Sequence, residues 1–332
     1  MIVHLTGALT VSKTRESGND LTAGQNPPSL RARLVVACAV ALVAGVIAWY
    51  KSRHGDLFDF PHYWNAGRAL LDGTDPYPSF VYPLPAAMWA APFALFSPAV
   101  GGGLFVGSAF GFVTFGLTAN GWHRLPILVS GPALWCLHIG QWTPLVVAAA
   151  LMPAFAWAAV AKPTIGFAAF ARQPSWTFVW VGAGTLLLSF LVMPDWPFRW
   201  WAATHKAEGA HWTIPVLQPF GWLLLLSVLR WRTPDGRMLL ALSVLPQGMV
   251  IYDQFPLLLL ARTRTEAITF ALWSQVVPMG VGFLTIPKGL SAADGVAATF
   301  PFWARVVMFT LFLPALAVVL WRKGEPRSIP VA

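Results

Sequence analysis

Between His54 and Pro85 the chain places four carboxylates (Asp56, Asp59, Asp72, Asp75), two histidines (His54, His62) and three tyrosines (Tyr63, Tyr77, Tyr82) in one polar, aromatic stretch. The whole chain of 332 residues holds only 13 acidic ones, so this loop is where its carboxylate chemistry is concentrated. A carboxylate beside tyrosines and a histidine can take a proton from a hydroxyl if it comes within about 3 Å of it. Asp59 is the first candidate base, because Asp59, His62, Tyr63 and Ala66 share one helical face at i, i+3, i+4 spacing. The competing reading is structural: Asp59-Phe60-Pro61 is also an N-cap signature followed by a first-turn proline. Asp56 is the runner-up base. Asp72 and Asp75 read as turn residues. Arg68, on the same helix, can face a phosphate or reach out to water or headgroups.

Other polar groups interrupt apolar runs, where an ionisable group costs several kcal/mol. Lys162-Pro163-Thr164 is one, Tyr252-Asp253 another, and Gln141 sits at the end of a run, where its plainer role is hydrogen bonding between helices. His205, Lys206, Glu208 and His211 form a second polar cluster, without the compact spacing that a metal site needs. Cys38 and Cys136 lie in apolar runs and read as packing residues. No nucleotide-type glycine loop and no HExxH is present, and no metal or cofactor is expected.

The elements that must hold these residues are apolar helices. The chain is 57% hydrophobic and 11% charged, against roughly 25% charged for a soluble domain. Its apolar runs are continuous, which favours helices over a membrane barrel. The expectation is an all-α, polytopic transmembrane bundle of nine to eleven spans. A tail over 1–30 precedes one membrane domain over 31–325, with an outer loop at 51–85. The first span is expected at Leu34–Tyr50, and a short helix at Pro61–Leu71 ends at Asp72-Gly73. Prolines break the runs at Tyr82–Phe96, Thr143–Val160 and Met238–Leu260. The last of these is too short for two crossings and fits a re-entrant hairpin with Asp253 near its tip, while a single crossing would instead put the C-terminus outside. A loop is expected over Pro194–Thr213. The net charge of +9 is spread over short loops, a topology signal that does not suggest nucleic acid. Fourteen of the 22 Lys and Arg residues can be placed on one side and seven on the other, with Lys162 left within the membrane. The richer side is the cytoplasmic one by the positive-inside rule, which puts the 51–85 loop and the Pro194–Thr213 segment together on the outer face of a plasma membrane.

Asp59-Phe60-x-x-Tyr63-Trp64-x-Ala66-Gly67-x-Ala69-Leu70-Leu71-x-Gly73-x-Asp75-Pro76-Tyr77, followed by Tyr82-Pro83-Leu84, resembles glycosyltransferase family 87. Gly140-Gln141, Ala161-Lys162-Pro163-Thr164 and, more faintly, Tyr252-Asp253 extend the resemblance over roughly Arg33 to Arg264. The resemblance implies a GT-C fold and an inverting transfer of a hexose, mannose first, from a polyprenyl-phosphate donor to a lipid or glycan acceptor at the outer face. It maps the base onto Asp59. The donor and acceptor are expected at His62, Tyr63, Arg68, Tyr82, Gln141, Lys162, His211 and Asp253, with Lys162 and Arg68 near the phosphate. The chain departs from the family in reading YPLP rather than YPPL after Val81, and in a short segment between Gln141 and Lys162. A flippase for a lipid-linked intermediate would instead carry internal repeats, and a third possibility is a non-catalytic member of the fold.

The charge bias has a direct test. In a background lacking Cys38 and Cys136, the His62→Cys and Glu208→Cys variants should both react with an impermeant thiol reagent in intact cells. Labelling of only one of them would overturn the orientation.

Overall fold

A computed structural model describes residues 27–206, 213–276 and 302–322. Two helices open the frame, α1 (Leu30–Arg53) and, after the polar loop, the short α2 (Phe60–Leu71). Next come α3 (Leu84–Ala94), α4 (Pro98–Leu117), α5 (Gly131–Ile139), α6 (Thr143–Leu151), α7 (Ala156–Ala161) and α8 (Pro163–Arg172). The chain continues through α9 (Trp176–Val192), α10 (Trp196–Lys206), α11 (Pro234–Val244), α12 (Arg264–Ser274) and α13 (Phe302–Trp321). Tight 3-10 segments run over Gly221–Arg230 and Ile251–Leu260. Among the described residues the only β-type pairing is an isolated bridge between Thr213 and Gln247. The all-helical expectation therefore holds for the described residues.

Three helices, α1, α4 and α13, are long and apolar enough to cross a membrane, and α9 with α10 makes a fourth if that pair, bent by 91°, is one broken span. The rest of the expected nine to eleven spans fold as shorter pieces. A helix of 9 to 12 residues reaches only about 14–18 Å, against a hydrocarbon core of about 30 Å. Proline is the cause: Pro132, Pro144, Pro153 and Pro163 each sit at or near the start of a helical piece, where a missing N–H is tolerated. Pro194–Thr213 was expected as a loop. Its described part is instead mostly helical, in α10, which follows α9 after the sharp bend. Residues 1–26, and the half of the expected span Ala267–Ile286 that follows Val276, lie outside the described residues.

Helices α1 and α4 lie antiparallel in close contact. Ser52 Oγ donates to Pro98 O at 3.1 Å at one end, and Arg33 donates to Phe115 O at 2.9 Å at the other. Glycines make the approach possible, since a Cβ on Gly107 would stand 2.7 Å from Ala41 O. Without a hydrophobic force between helices in lipid, such backbone proximity is the main source of association.

Two ends of the bundle can then be told apart. The Asp59 end holds the C-termini of α1 and α5, tied by the Asp59 N–H to Ile139 O at 2.8 Å. It also holds α10, because Arg199 donates to Asp75 at 2.7 Å and Trp200 Nε1 to Val81 O at 2.9 Å. The opposite end gathers Arg124, Arg172, Arg237, Arg262 and Arg322. The segment 235–262 leaves that arginine end and returns to it: Asp235 and Arg262 meet at 2.9 Å, while Asp253 lies at the far tip. This is the hairpin read from the proline and aspartate pattern.

The α1–α4 contact is open to a stability test. Gly107→Val should destabilise the detergent-solubilised protein by roughly 1–3 kcal/mol through overpacking, seen as a lower thermal midpoint than that of Gly184→Val, a position where an added Cβ meets nothing within 4 Å.

Candidate functional site

Asp59 occupies the residue before α2, as an N-cap would, but its side chain makes no capping hydrogen bond. Its Oδ2 accepts instead from Nε2 of Gln141, in a short contact. No hydrogen bond engages Oδ1 among the described residues. The capping reading of Asp59 thus gives way to a network reading.

Gln141 is delivered by a chain reversal between α5 and α6. Gly140 ends α5 at φ +77°, where a side chain is strained, and a Cβ there would meet Phe60 Cβ at 2.9 Å. The amide that follows is held from both sides. Its Oε1 accepts from Trp142 N (2.9 Å), the Tyr63 hydroxyl (3.1 Å) and Lys162 Nζ (3.3 Å). Its Nε2 points to Asp59 and stands 3.4 Å from the Tyr82 hydroxyl. Three donors on one side and a carboxylate on the other leave one orientation for the amide.

Lys162 lies at the break between α7 and α8, 7% exposed. Its ammonium donates to Asp253 Oδ1 at 2.5 Å, to Gln141 Oε1 at 3.3 Å and to Thr143 Oγ1 at 3.3 Å, and it sits 4.8 Å from the centre of the Tyr252 ring. An ammonium has three N–H donors, and all three are in use. Asp253, itself 4% exposed, thereby acquires the counter-charge that a buried carboxylate requires.

Tyr63, Tyr82, Gln141, Lys162, Asp253 and Asp59 therefore form one connected set. The sequence pattern singled out all six, but it missed Thr143, two residues after Gln141, whose hydroxyl fills the third Lys162 donor. Two expected residues stay apart. Arg68 is exposed and pairs with Asp72 at 3.0 Å along its own helix, and His62 is exposed on α2. His211 and Glu208 lie outside the described residues, and no metal-holding cluster occurs among the described ones. Asp56 is exposed and unconnected to the set. Burial pushes the Asp59 carboxyl above its ordinary 3.8, and the nearby Lys162 charge pulls the other way.

Two grooves lie beyond this set, neither of them lined by its members. On the side of the 51–85 loop a groove of about 510 Å³ is lined by Asp75, Tyr77, Ser79, Arg199 and Lys206. Rings lead inward from it, with centroids 6.2 Å apart for Tyr77–Phe80, 5.7 Å for Phe80–Tyr82 and 5.1 Å for Tyr82–Tyr63. A second groove, of about 540 Å³, is almost wholly apolar and runs along α8 and α9 past Phe167, Phe170, Phe178 and Leu186. Its rim includes Pro83 and Pro163, the neighbours in sequence of Tyr82 and Lys162. Compared with protein-family models, curated proteins and solved structures, the chain matches none.

The Lys162–Asp253 pair can be tested apart from any activity. Lys162→Met strands a buried carboxylate and should cost roughly 3–5 kcal/mol of stability. Adding Asp253→Leu should recover most of that loss in a thermal melt. Equal and additive losses would show that the two side chains do not interact.

Proposed function

We propose that this chain is an integral-membrane, inverting hexosyltransferase that uses a polyprenyl-phosphate sugar, mannose in the first instance, with Asp59 as the base. The observation that carries this reading is a half-buried carboxylate, Asp59, with one oxygen held by Gln141 and the other free of a hydrogen bond among the described residues, in a molecule that also carries a polar groove and an apolar one. The apolar groove suits the isoprenoid chain of a lipid-linked donor, which would enter sideways from the bilayer. The polar groove suits a hydroxylated acceptor, whether a lipid headgroup or a glycan. The resemblance of the Asp59–Tyr77 and Tyr82–Leu84 motifs to glycosyltransferase family 87 points the same way.

In the proposed step, Asp59 Oδ1 takes the proton from the acceptor hydroxyl. The oxygen attacks the anomeric carbon from the face opposite the phosphate. The bond from that carbon to the phosphate oxygen breaks, the phosphate leaves with the electron pair, and the anomeric configuration inverts. No acid catalyst is required for such a leaving group.

Gln141 and Lys162 act on Asp59 rather than on the donor. With all three ammonium hydrogens occupied, Lys162 has none to offer a phosphate, contrary to the role first expected of it. It fixes the Gln141 amide, which in turn holds Asp59 Oδ2 and leaves Oδ1 without a hydrogen bond among the described residues. Arg68, tied to Asp72 at the surface, is likewise removed from the phosphate. The proposed location is the plasma membrane with the Asp59 end outside, in keeping with the gathering of arginines at the other end.

Asp59→Asn is the test. Purified protein in lipid would be assayed with radiolabelled polyprenyl-phosphate sugars and a membrane extract as acceptor. The variant should lose roughly 10²- to 10⁴-fold in turnover while remaining folded. The wild-type rate should fall on the acid side through an apparent pKa above 3.8, because a base works only when deprotonated and burial raises its proton affinity. Normal turnover in Asp59→Asn would exclude Asp59 as the base.

A further inference from the structure

At the arginine end, four guanidiniums surround two carboxylates. Arg262 and Arg322 reach Asp235 Oδ2 at 2.9 and 3.1 Å, Arg172 stands 3.9 Å from Asp235 Oδ1, and Arg322 also binds Glu266 at 2.9 Å. Arg124 lies within electrostatic reach of Arg172, Arg262, Arg322 and Asp235. Among the described residues, four positive charges against two negative ones leave an excess of two, held by side chains of which Arg172 and Arg322 are only 12% and 15% exposed. Arg237, bonded only to backbone carbonyls, adds a third.

The excess is localised by the hydrogen bonds. Asp235 and Glu266 are claimed by Arg262 and Arg322. Arg172 makes no hydrogen bond through its guanidinium among the described residues, and its Nε is buried without a partner. Among the described residues Arg124 uses only Nε, on Ala261 O at 2.9 Å, and its terminal nitrogens make no hydrogen bond. Burial lowers the proton affinity of both guanidiniums, which an arriving negative charge would restore. A nearly buried guanidinium with empty donors is costly. Its planar fork matches the oxygens of a phosphate or a carboxylate in a bidentate pair.

We infer that Arg124 and Arg172 form a binding site for a phosphate group, at the end of the bundle remote from Asp59, where the headgroup of an anionic phospholipid would reach it. The site is independent of the transferase reading. It draws on α8 and on the loop before α5, and Asp235 and Glu266 keep the other two arginines from competing for the ligand. An anionic leaflet supplies such headgroups at the membrane surface.

The test uses the full chain in micelles. Thermal midpoints would be measured with added phosphatidylglycerol, with phosphatidylcholine of the same acyl chains, and with inorganic phosphate. A ligand that binds only the folded state raises the midpoint saturably. Phosphatidylglycerol should do so and phosphatidylcholine should not. A full response to inorganic phosphate alone would identify a soluble anion as the source, whereas a response confined to the lipid would identify the headgroup. Arg172→Gln and Arg124→Gln should each lose the response, and Arg53→Gln, at the other end, should keep it. If Arg172→Gln fails to fold, Arg124→Gln carries the test, with Arg172→Lys expected to show a weakened response. Equal responses to the two lipids, or a wild-type response in Arg124→Gln, would overturn the assignment.

Discussion

A buried ammonium is the constraint around which this molecule is arranged. Lys162 is almost out of reach of solvent, and a lone charge in that position would cost several kcal/mol or lose its proton. The cost is met by groups from three separate segments: Gln141 and Thr143 at the start of α6, Tyr252 and Asp253 at the hairpin tip, and the backbone break before α8 that presents the lysine. Each segment must stop being a regular helix to supply its group. Gly140 ends α5 before the first, Pro163 restarts the chain after Lys162, and the Tyr252–Asp253 segment is a 3-10 rather than an α-helix. Irregular backbone within an apolar bundle is tolerated where it lines a polar interior, and here it converges on one.

The two polar centres share elements. Helix α8 begins at Lys162 and ends at Arg172, and the Ile251–Leu260 segment begins beside Asp253 and ends beside Ala261, whose carbonyl holds Arg124. Ten residues of α-helix span about 15 Å, and ten of 3-10 helix about 20 Å. The charged ends of these short rods are thus separated by less than a bilayer core. The hairpin is anchored at its base by Asp235–Arg262 and at its tip by Lys162–Asp253, so its position is set by two ion pairs rather than by apolar packing alone.

The legible parts of the fold were those where one helix carries its own signals. The α2 bounds followed from Pro61 and Gly73, and the reversal near Asp253 followed from a run, Met238–Leu260, too short for two crossings. The site was legible as a set of residue types, because ionisable and amide groups stand out in apolar runs. What the pattern could not carry was partnership. Asp59 has the local signature of a cap, and only the approach of Gln141, 82 positions away, gives its carboxylate a different bond. Arg68 has the position of a phosphate ligand, but Asp72 one turn later takes its guanidinium. The helical character of 196–206 was hidden for another reason: Pro194, Asp195 and Pro197 read as a loop, whereas Asp195 pairs with Arg199 one turn on and Pro197 falls in the first turn.

The orientation of one amide decides what the site can do. Were Gln141 reversed, its oxygen would face the Asp59 carboxylate and its nitrogen the Lys162 ammonium, two repulsive contacts in place of two attractive ones. The observed arrangement alternates sign along the chain Asp253, Lys162, Gln141, Asp59. It is a line of fixed charges and dipoles that costs no reorganisation when a proton moves at its end. Asp59 Oδ1 and Asp253 Oδ2 both lack a hydrogen bond among the described residues, but Asp253 is buried, whereas Asp59 is only half-buried, where α2 meets the 51–85 loop. On the proposed reading, the deeper residues act through the position and proton affinity they impose on Asp59.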